Sequence, residues 1–97
     1  MSWLARNEGL YLRVSAESTV KRVTIYGRRD CHLCQAMRIV VDEAVRRLPV
    51  VVEEVDIDRD PGLQAEWGTA IPVLCIDGEE AFRHRVTAQS LRRRLVA

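Results

Sequence analysis

The chain has 97 residues, 47% of them apolar and 30% charged, with a formal net charge of +1. This length makes one domain able to bury an ordinary core, and the composition is globular and not that of a disordered chain. The near-zero charge argues against a dedicated nucleic-acid binder. The longest apolar run, Ala70–Ile76, is far too short to span a bilayer, and Met1–Glu8 shows no apolar leader. A soluble, cytoplasmic monomer with neither nucleic acid nor membrane as partner is the expectation. Of the fifteen basic residues fourteen are Arg, and Arg92–Arg94 form the densest cluster. That cluster reads as a solvated helix face near the C-terminus.

Residues 1–19 carry the weakest pattern. Leu10, Leu12 and Val14 alternate with Tyr11 and Arg13, so the segment is either a flexible extension or a short extra strand. From Val20 the signal sharpens. Val23–Tyr26 are β-branched or aromatic and stop at Gly27, which predicts a strand over 20–26. Leu33, Met37, Val40, Val41, Ala44 and Leu48 then recur at three- and four-residue spacing, predicting an amphipathic helix over 32–47 that Pro49 stops. Asp42 with Arg46 and Glu43 with Arg47 are expected as i,i+4 pairs on its outer face.

The run Val50–Val55 predicts a second strand, parallel to the first because a helix connects them. Asp60–Pro61 is an N-cap followed by a first-turn proline, opening a short helix that Gly68 closes. Pro72–Ile76 reads as a buried strand with proline at its start. Asp77–Gly78 is a hairpin turn leading to a partner strand over 80–86, with Phe82, His84 and Val86 on one face. Thr87 caps a last helix whose Ala88, Leu91 and Leu95 face inward. The order is β-α-β-α-β-β-α, an α/β chain.

The three cysteines are Cys31, Cys34 and Cys75. An odd count with one close pair does not suit a disulfide-stapled secreted scaffold, and points to redox chemistry or metal binding. Cys31-His32-Leu33-Cys34 falls where the first strand hands over to the first helix. Unpaired N–H groups and the helix dipole place partial positive charge there, which stabilises a thiolate. Arg28 and Arg29 add to that field, whereas Asp30 either opposes it or caps the helix. Cys31, at the helix edge, is expected to be exposed and to attack. Cys34, one turn further in, is expected to resolve the mixed disulfide. A zinc site, which needs four N/S ligands, would have only Cys75, His32 and His84 to add, without paired spacing; an iron–sulfur cluster between two chains is the other metal reading. His32 is either an exposed helix residue or, protonated, a tuner of the Cys31 thiolate. Cys75 reads as a buried small apolar residue or a second redox thiol, Trp67 as core near Pro72 or a substrate-lining ring, and His84 as a hydrogen-bonded strand residue or a ligand.

The element order, the CxxC at the first helix and Ile71-Pro72 before the third strand together resemble the thioredoxin fold, a central four-stranded mixed sheet flanked by helices. Ile25–Cys34 is similar to the glutaredoxin strand, loop and CPYC motif. Asp30–Cys34, Glu54–Asp58, Ile71–Val73 and Phe82–Arg85 look like small bacterial glutaredoxin-like proteins, over about residues 20–97. The resemblance implies a thiol–disulfide oxidoreductase whose redox group is the Cys31–Cys34 disulfide and which needs no other cofactor. It implies a cis Pro72, with Ile71 offering backbone to a substrate, and Arg28 placed to meet a thiol's carboxylate. The implied partners are protein or small-molecule disulfides, with glutathione, another low-molecular-weight thiol or a reductase as electron donor. Two departures stand out: CHLC replaces CPYC, and Arg85-Val86-Thr87-Ala88 replaces the Gly-Gly-x-Asp segment that grips glutathione. The other classes still open are a metal or iron–sulfur module and a redox-inactive binding protein.

Overall fold

In a computed structural model, residues 20–96 are described; the two readings of 1–19 lie outside them. The elements are β1 (Lys21–Gly27), α1 (His32–Ala44), β2 (Val50–Asp56), a 3-10 turn (Ile57–Arg59), α2 (Pro61–Trp67), β3 (Val73–Ile76), β4 (Glu79–Arg83) and α3 (Ala88–Val96). The sheet order is β2-β1-β3-β4. β1 runs parallel to β2, and β3 runs antiparallel to both β1 and β4. Short antiparallel links are made by turns, whereas the parallel β1–β2 pair requires the α1 crossover.

Side chains alternate across the sheet, and this sorts β1 into two faces. Val23 and Ile25 point into the main core with Met37, Val41 and Ala44 of α1, Leu74 of β3, and Leu91 and Leu95 of α3. Tyr26 points the other way, to a smaller cluster of Ala70, Val73, Cys75 and Trp67 beside α2. The two helices that carry long apolar stripes therefore share one face, and the short α2 takes the other.

Several expected boundaries move. The first helix ends at Ala44, capped by Val45, and not at 47. Arg47 has a left-handed φ of 68°, so the chain turns before Pro49 and Leu48 reaches the core from a loop. The expected Asp42–Arg46 and Glu43–Arg47 pairs therefore have no helix to share. Arg38 pairs instead with Asp42 at 2.8 Å and reaches Glu54 of β2 at 3.6 Å, tying α1 to the sheet. The second hairpin strand stops at Arg83 and not at 86. The turn at Asp77 (φ 52°) and Gly78 (φ 88°) has the two left-handed positions of a tight hairpin. A register shift between Leu74 and Cys75 lets β4 carry an extra residue, and the ladder runs on past it to Val73–Arg83, where β3 begins after Pro72. His84 (φ 66°) then leaves the strand. It is an exposed loop residue, not a strand histidine.

Asp60 caps α2 through Oδ1, which accepts the N–H groups of Gly62 at 2.8 Å and Leu63 at 3.3 Å. Asp60→Ala is expected to lower stability by about 1 kcal/mol, the usual cost of losing such a cap, while Asp60→Asn keeps most of it. Urea midpoints of the two variants check this.

Candidate redox site

The site is built where β1 ends and α1 begins. Cys31 is the N-cap of α1, in extended conformation (φ −117°, ψ 111°), and its Sγ accepts the backbone N–H of Cys34 at 3.1 Å. The capping role considered for Asp30 thus belongs to the cysteine. A sulfur in this position takes up one of the orphan donors of the helix end and faces the positive end of its dipole, which favours a thiolate when the pair is reduced. Cys31 and Cys34 are disulfide-bonded, with Cα atoms 5.2 Å apart. Cys31 is partly exposed and Cys34 is buried, so the first sulfur is open to a partner and the second is not.

Gly27 makes room for Cys34. A Cβ at Gly27 would lie 2.7 Å from the Cys34 Sγ, closer than real contacts come, and a tight 3.1 Å from its Cβ. In the sequence Gly27 marks only the end of a strand. The signal was present, since a glycine there faces the same side as Ile25 and lies under the following helix.

The Ile71–Pro72 peptide is cis. The pairing of Tyr26 with Val73 puts it beside the end of β1, at the same end of the sheet as Cys31. The Pro72 carbonyl accepts the His84 N–H at 2.7 Å, which anchors the loop after β4 to this end. His32 is exposed as the first residue of α1.

Arg28 goes elsewhere. Its Nε donates to Asp58 Oδ1 at 2.9 Å and an Nη donates to the Gly68 carbonyl at 3.2 Å. The guanidinium thus clamps the loop before Cys31 to the 3-10 turn and to the C-terminus of α2. Nothing local in the sequence marks Asp58 as the partner of Arg28, 30 residues away. Behind the pair, a cavity of about 210 Å³ is lined by Gly27, Cys34, Arg28, Glu54 and Asp56 among others.

Cys75 lies on the opposite face from Cys34. It pairs in register with Thr24, packs with Trp67 and Tyr26, and is 4% exposed. Trp67 stacks on Tyr26 with ring centroids 6.0 Å apart, and the Arg83 guanidinium covers it at 5.7 Å. Arg83 also hydrogen-bonds Glu80, and that bond holds the Glu80 carboxyl below its ordinary range. Burial, and then the charges of Glu80 and Glu66, push the Cys75 thiol up from 9.0. Burial and then Cys75 do the same to Tyr26. Above pH about 9 the unfolded chain releases a thiol proton that the folded chain retains, so stability falls as pH rises from there toward the raised folded value. Urea midpoints at pH 8 and pH 10.5 are expected to show the loss. Cys75→Ala is expected to reduce it.

Among the described residues, no three His, Cys, Asp or Glu side chains gather to hold a metal ion, and no helix is long and apolar enough to cross a membrane. His32, His84 and Cys75 do not join the cysteine pair in one cluster.

This arrangement of mixed sheet, helix-capping CxxC and cis-proline is that of the thioredoxin fold. Solved structures agree. Chloroplastic thioredoxin z is similar at 14% identity, over 84% of this chain and 80% of that one, with a TM-score of 0.66. Protein Ne2328 from Nitrosomonas europaea is similar at 21% identity, over 76% and 89%, with a TM-score of 0.67. Protein XcR50 from X. campestris shares 31% identity over 76% of this chain and 95% of that one, with a TM-score of 0.59. The Glutaredoxin-like domain (DUF836) matches residues 22–96, and the chain belongs to that family. No curated protein matches it at a significant level.

Proposed function

We propose that the protein is a thiol–disulfide oxidoreductase working through Cys31 and Cys34. The observation that carries this reading is the asymmetry of the pair: a partly exposed Cys31 at the positive end of α1, bonded to a buried Cys34. In the reduced protein the Cys31 thiolate attacks a substrate disulfide. One substrate sulfur leaves as a thiol and a mixed disulfide remains on Cys31. Cys34, as thiolate, then attacks the Cys31 sulfur, expels the second substrate thiol and closes the Cys31–Cys34 bond. Two electrons have passed to the substrate, and an external thiol or reductase returns them. Ile71 and Pro72 line the approach and hold the substrate backbone; His32, when protonated, favours the Cys31 thiolate. Arg28 steadies the loop through Asp58, so a thiol carboxylate approaching it meets an occupied guanidinium. We place this chemistry in the cytoplasm, on a monomer acting on protein or small-molecule disulfides, with no cofactor besides the disulfide itself.

A redox titration tests the reading. Trp67 fluorescence and thiol alkylation are followed against a thiol–disulfide buffer. A reversible two-electron transition between about −120 and −270 mV, the span of catalytic dithiols, is expected. A pair that stays oxidised or stays reduced across that span overturns it.

A further inference from the structure

The cavity behind the redox pair joins a buried thiol to the outer strand of the sheet. The proposed cycle asks Cys34 to attack as a thiolate, yet Cys34 is 7% exposed. A thiol withdrawn from water keeps its proton unless a base takes it. Two carboxylates line the cavity with Cys34: Glu54 and Asp56 of β2. They differ in place and in partners. Glu54 pairs in register with Ile25, further back along β1. Its side chain is 55% exposed, and Arg38 holds it at 3.6 Å. Asp56 pairs in register with Gly27, whose own Cβ would strike the Cys34 sulfur. Its side chain is 22% exposed. Residues paired across neighbouring strands point to the same face, about 4.8 Å apart. Asp56 therefore stands about one strand spacing from the place under Cys34, across the shared cavity. Its Oδ1 accepts the Asp58 N–H at 2.9 Å, which fixes the carboxylate. Its Oδ2 makes no hydrogen bond among the described residues, with Arg59 Nε 4.0 Å away.

Resting on the oxidoreductase reading, we propose that Asp56 is the proton acceptor for Cys34. In the mixed disulfide the Cys34 thiol passes its proton to the Asp56 carboxylate through water, for which a polar-walled cavity of about 210 Å³ has room. The thiolate attacks the Cys31 sulfur. The Cys31–Cys34 bond forms as the bond from Cys31 to the substrate breaks. The departing substrate thiolate takes a proton from water, and Asp56 gives its own back to solvent. In the reverse direction an outside thiolate opens the disulfide at Cys31, and protonated Asp56 returns the proton to the leaving Cys34 sulfur. The charged groups that share the cavity with Cys34 are Arg28 and Arg29 from the loop before α1 and the two carboxylates of β2. Arginine stays protonated and cannot accept a proton, and Arg28 is already held by Asp58 and the Gly68 carbonyl. That leaves the carboxylates, and position favours Asp56.

The test follows both exchanges in one experiment. The full chain, reduced and freed of reductant, is mixed at pH 7 with an excess of a disulfide-linked dimer of a blocked peptide, and samples are quenched with acid at intervals. Intact mass separates the reduced chain, the chain carrying one peptide and the oxidised chain. Asp56→Asn keeps an oxygen for the Asp58 N–H and removes the proton acceptor. It is expected to form the peptide adduct at the wild-type rate. It is expected to close that adduct about a hundredfold more slowly, the low end of what a positioned acid–base group contributes, so the adduct accumulates. The deficit is expected to narrow as pH rises from 7 to 9, because hydroxide takes over from the missing acceptor. Glu54→Gln is expected to close as the wild type does. Closure at the wild-type rate in Asp56→Asn overturns the proposal. So does an equal slowing of both exchanges, or a deficit that pH leaves unchanged, since either marks a displaced framework and not a lost proton acceptor. A loss in Glu54→Gln as large as that in Asp56→Asn also overturns it. If no adduct forms even in Cys34→Ser, which has no closing thiol, the oxidoreductase reading falls and this proposal with it.

Discussion

Cys31→Ser is expected to abolish disulfide reduction, while Cys34→Ser is expected to stop the reaction halfway, with the substrate held on Cys31. The difference follows from where each sulfur sits. Cys31 is the partly exposed helix cap, so removing its sulfur removes the only nucleophile of the pair that a partner can reach. The loss is on the order of a thousandfold or more, the scale on which deleting a covalent nucleophile acts. Cys34 is buried and meets only a sulfur already attached to Cys31. Without it the first exchange still runs, and the mixed disulfide persists until an outside thiol releases it. Intact-mass measurement after mixing with a peptide disulfide separates the cases: an adduct on Cys34→Ser and none on Cys31→Ser. Full activity in Cys31→Ser would show that the mechanism is wrong.

Gly27→Val is expected to damage the pair without touching either cysteine. Its new Cβ would stand 2.7 Å from the Cys34 sulfur, and relieving such overpacking typically costs about 1–3 kcal/mol. The reduced Cys34 side chain can turn away, whereas the bonded sulfur is held over position 27, so the oxidised form carries more of the strain. The dithiol–disulfide equilibrium shifts toward the dithiol, raising the potential by about 20–60 mV for that range of energy. Gly27→Ala is expected to move the potential the same way by less. A potential unchanged in both variants would mean that the helix start yields instead of the disulfide.

Much of this was legible in the sequence because it rests on local rules. The β-branched run before Gly27, the three-to-four spacing of Leu33 through Ala44, and Asp60–Pro61 each dictate an element within a few residues of themselves, and the structure has those elements. The cysteine pair at the first helix start follows from the same two boundaries. What sequence did not reveal depends on distant packing. The helix stops at Ala44 because the chain must turn for Leu48 to reach the core, overriding the two expected charge pairs. β4 stops at Arg83 because its partner β3 begins at Val73, after Pro72, which has no N–H to extend the ladder. Arg28 looked free until the fold brought Asp58 and the Gly68 carbonyl to it. Leu33 and Met37 of α1 line one cavity with Phe82 and Val86, some 50 residues further on, and no window along the chain contains both sets.

The seclusion of Cys75 decides how cleanly the protein can cycle. Three cysteines allow three pairings on paper. The sheet stands between Cys75 and the other two as a partition one strand thick, with Thr24 and Tyr26 on one side and Ile25 and Gly27 on the other. Oxidation therefore has one intramolecular product, and each round of reduction returns the chain to the same starting point. On the proposed redox cycle, a third thiol is kept indoors on the far side of the sheet, where the Cys31–Cys34 bond cannot migrate to it.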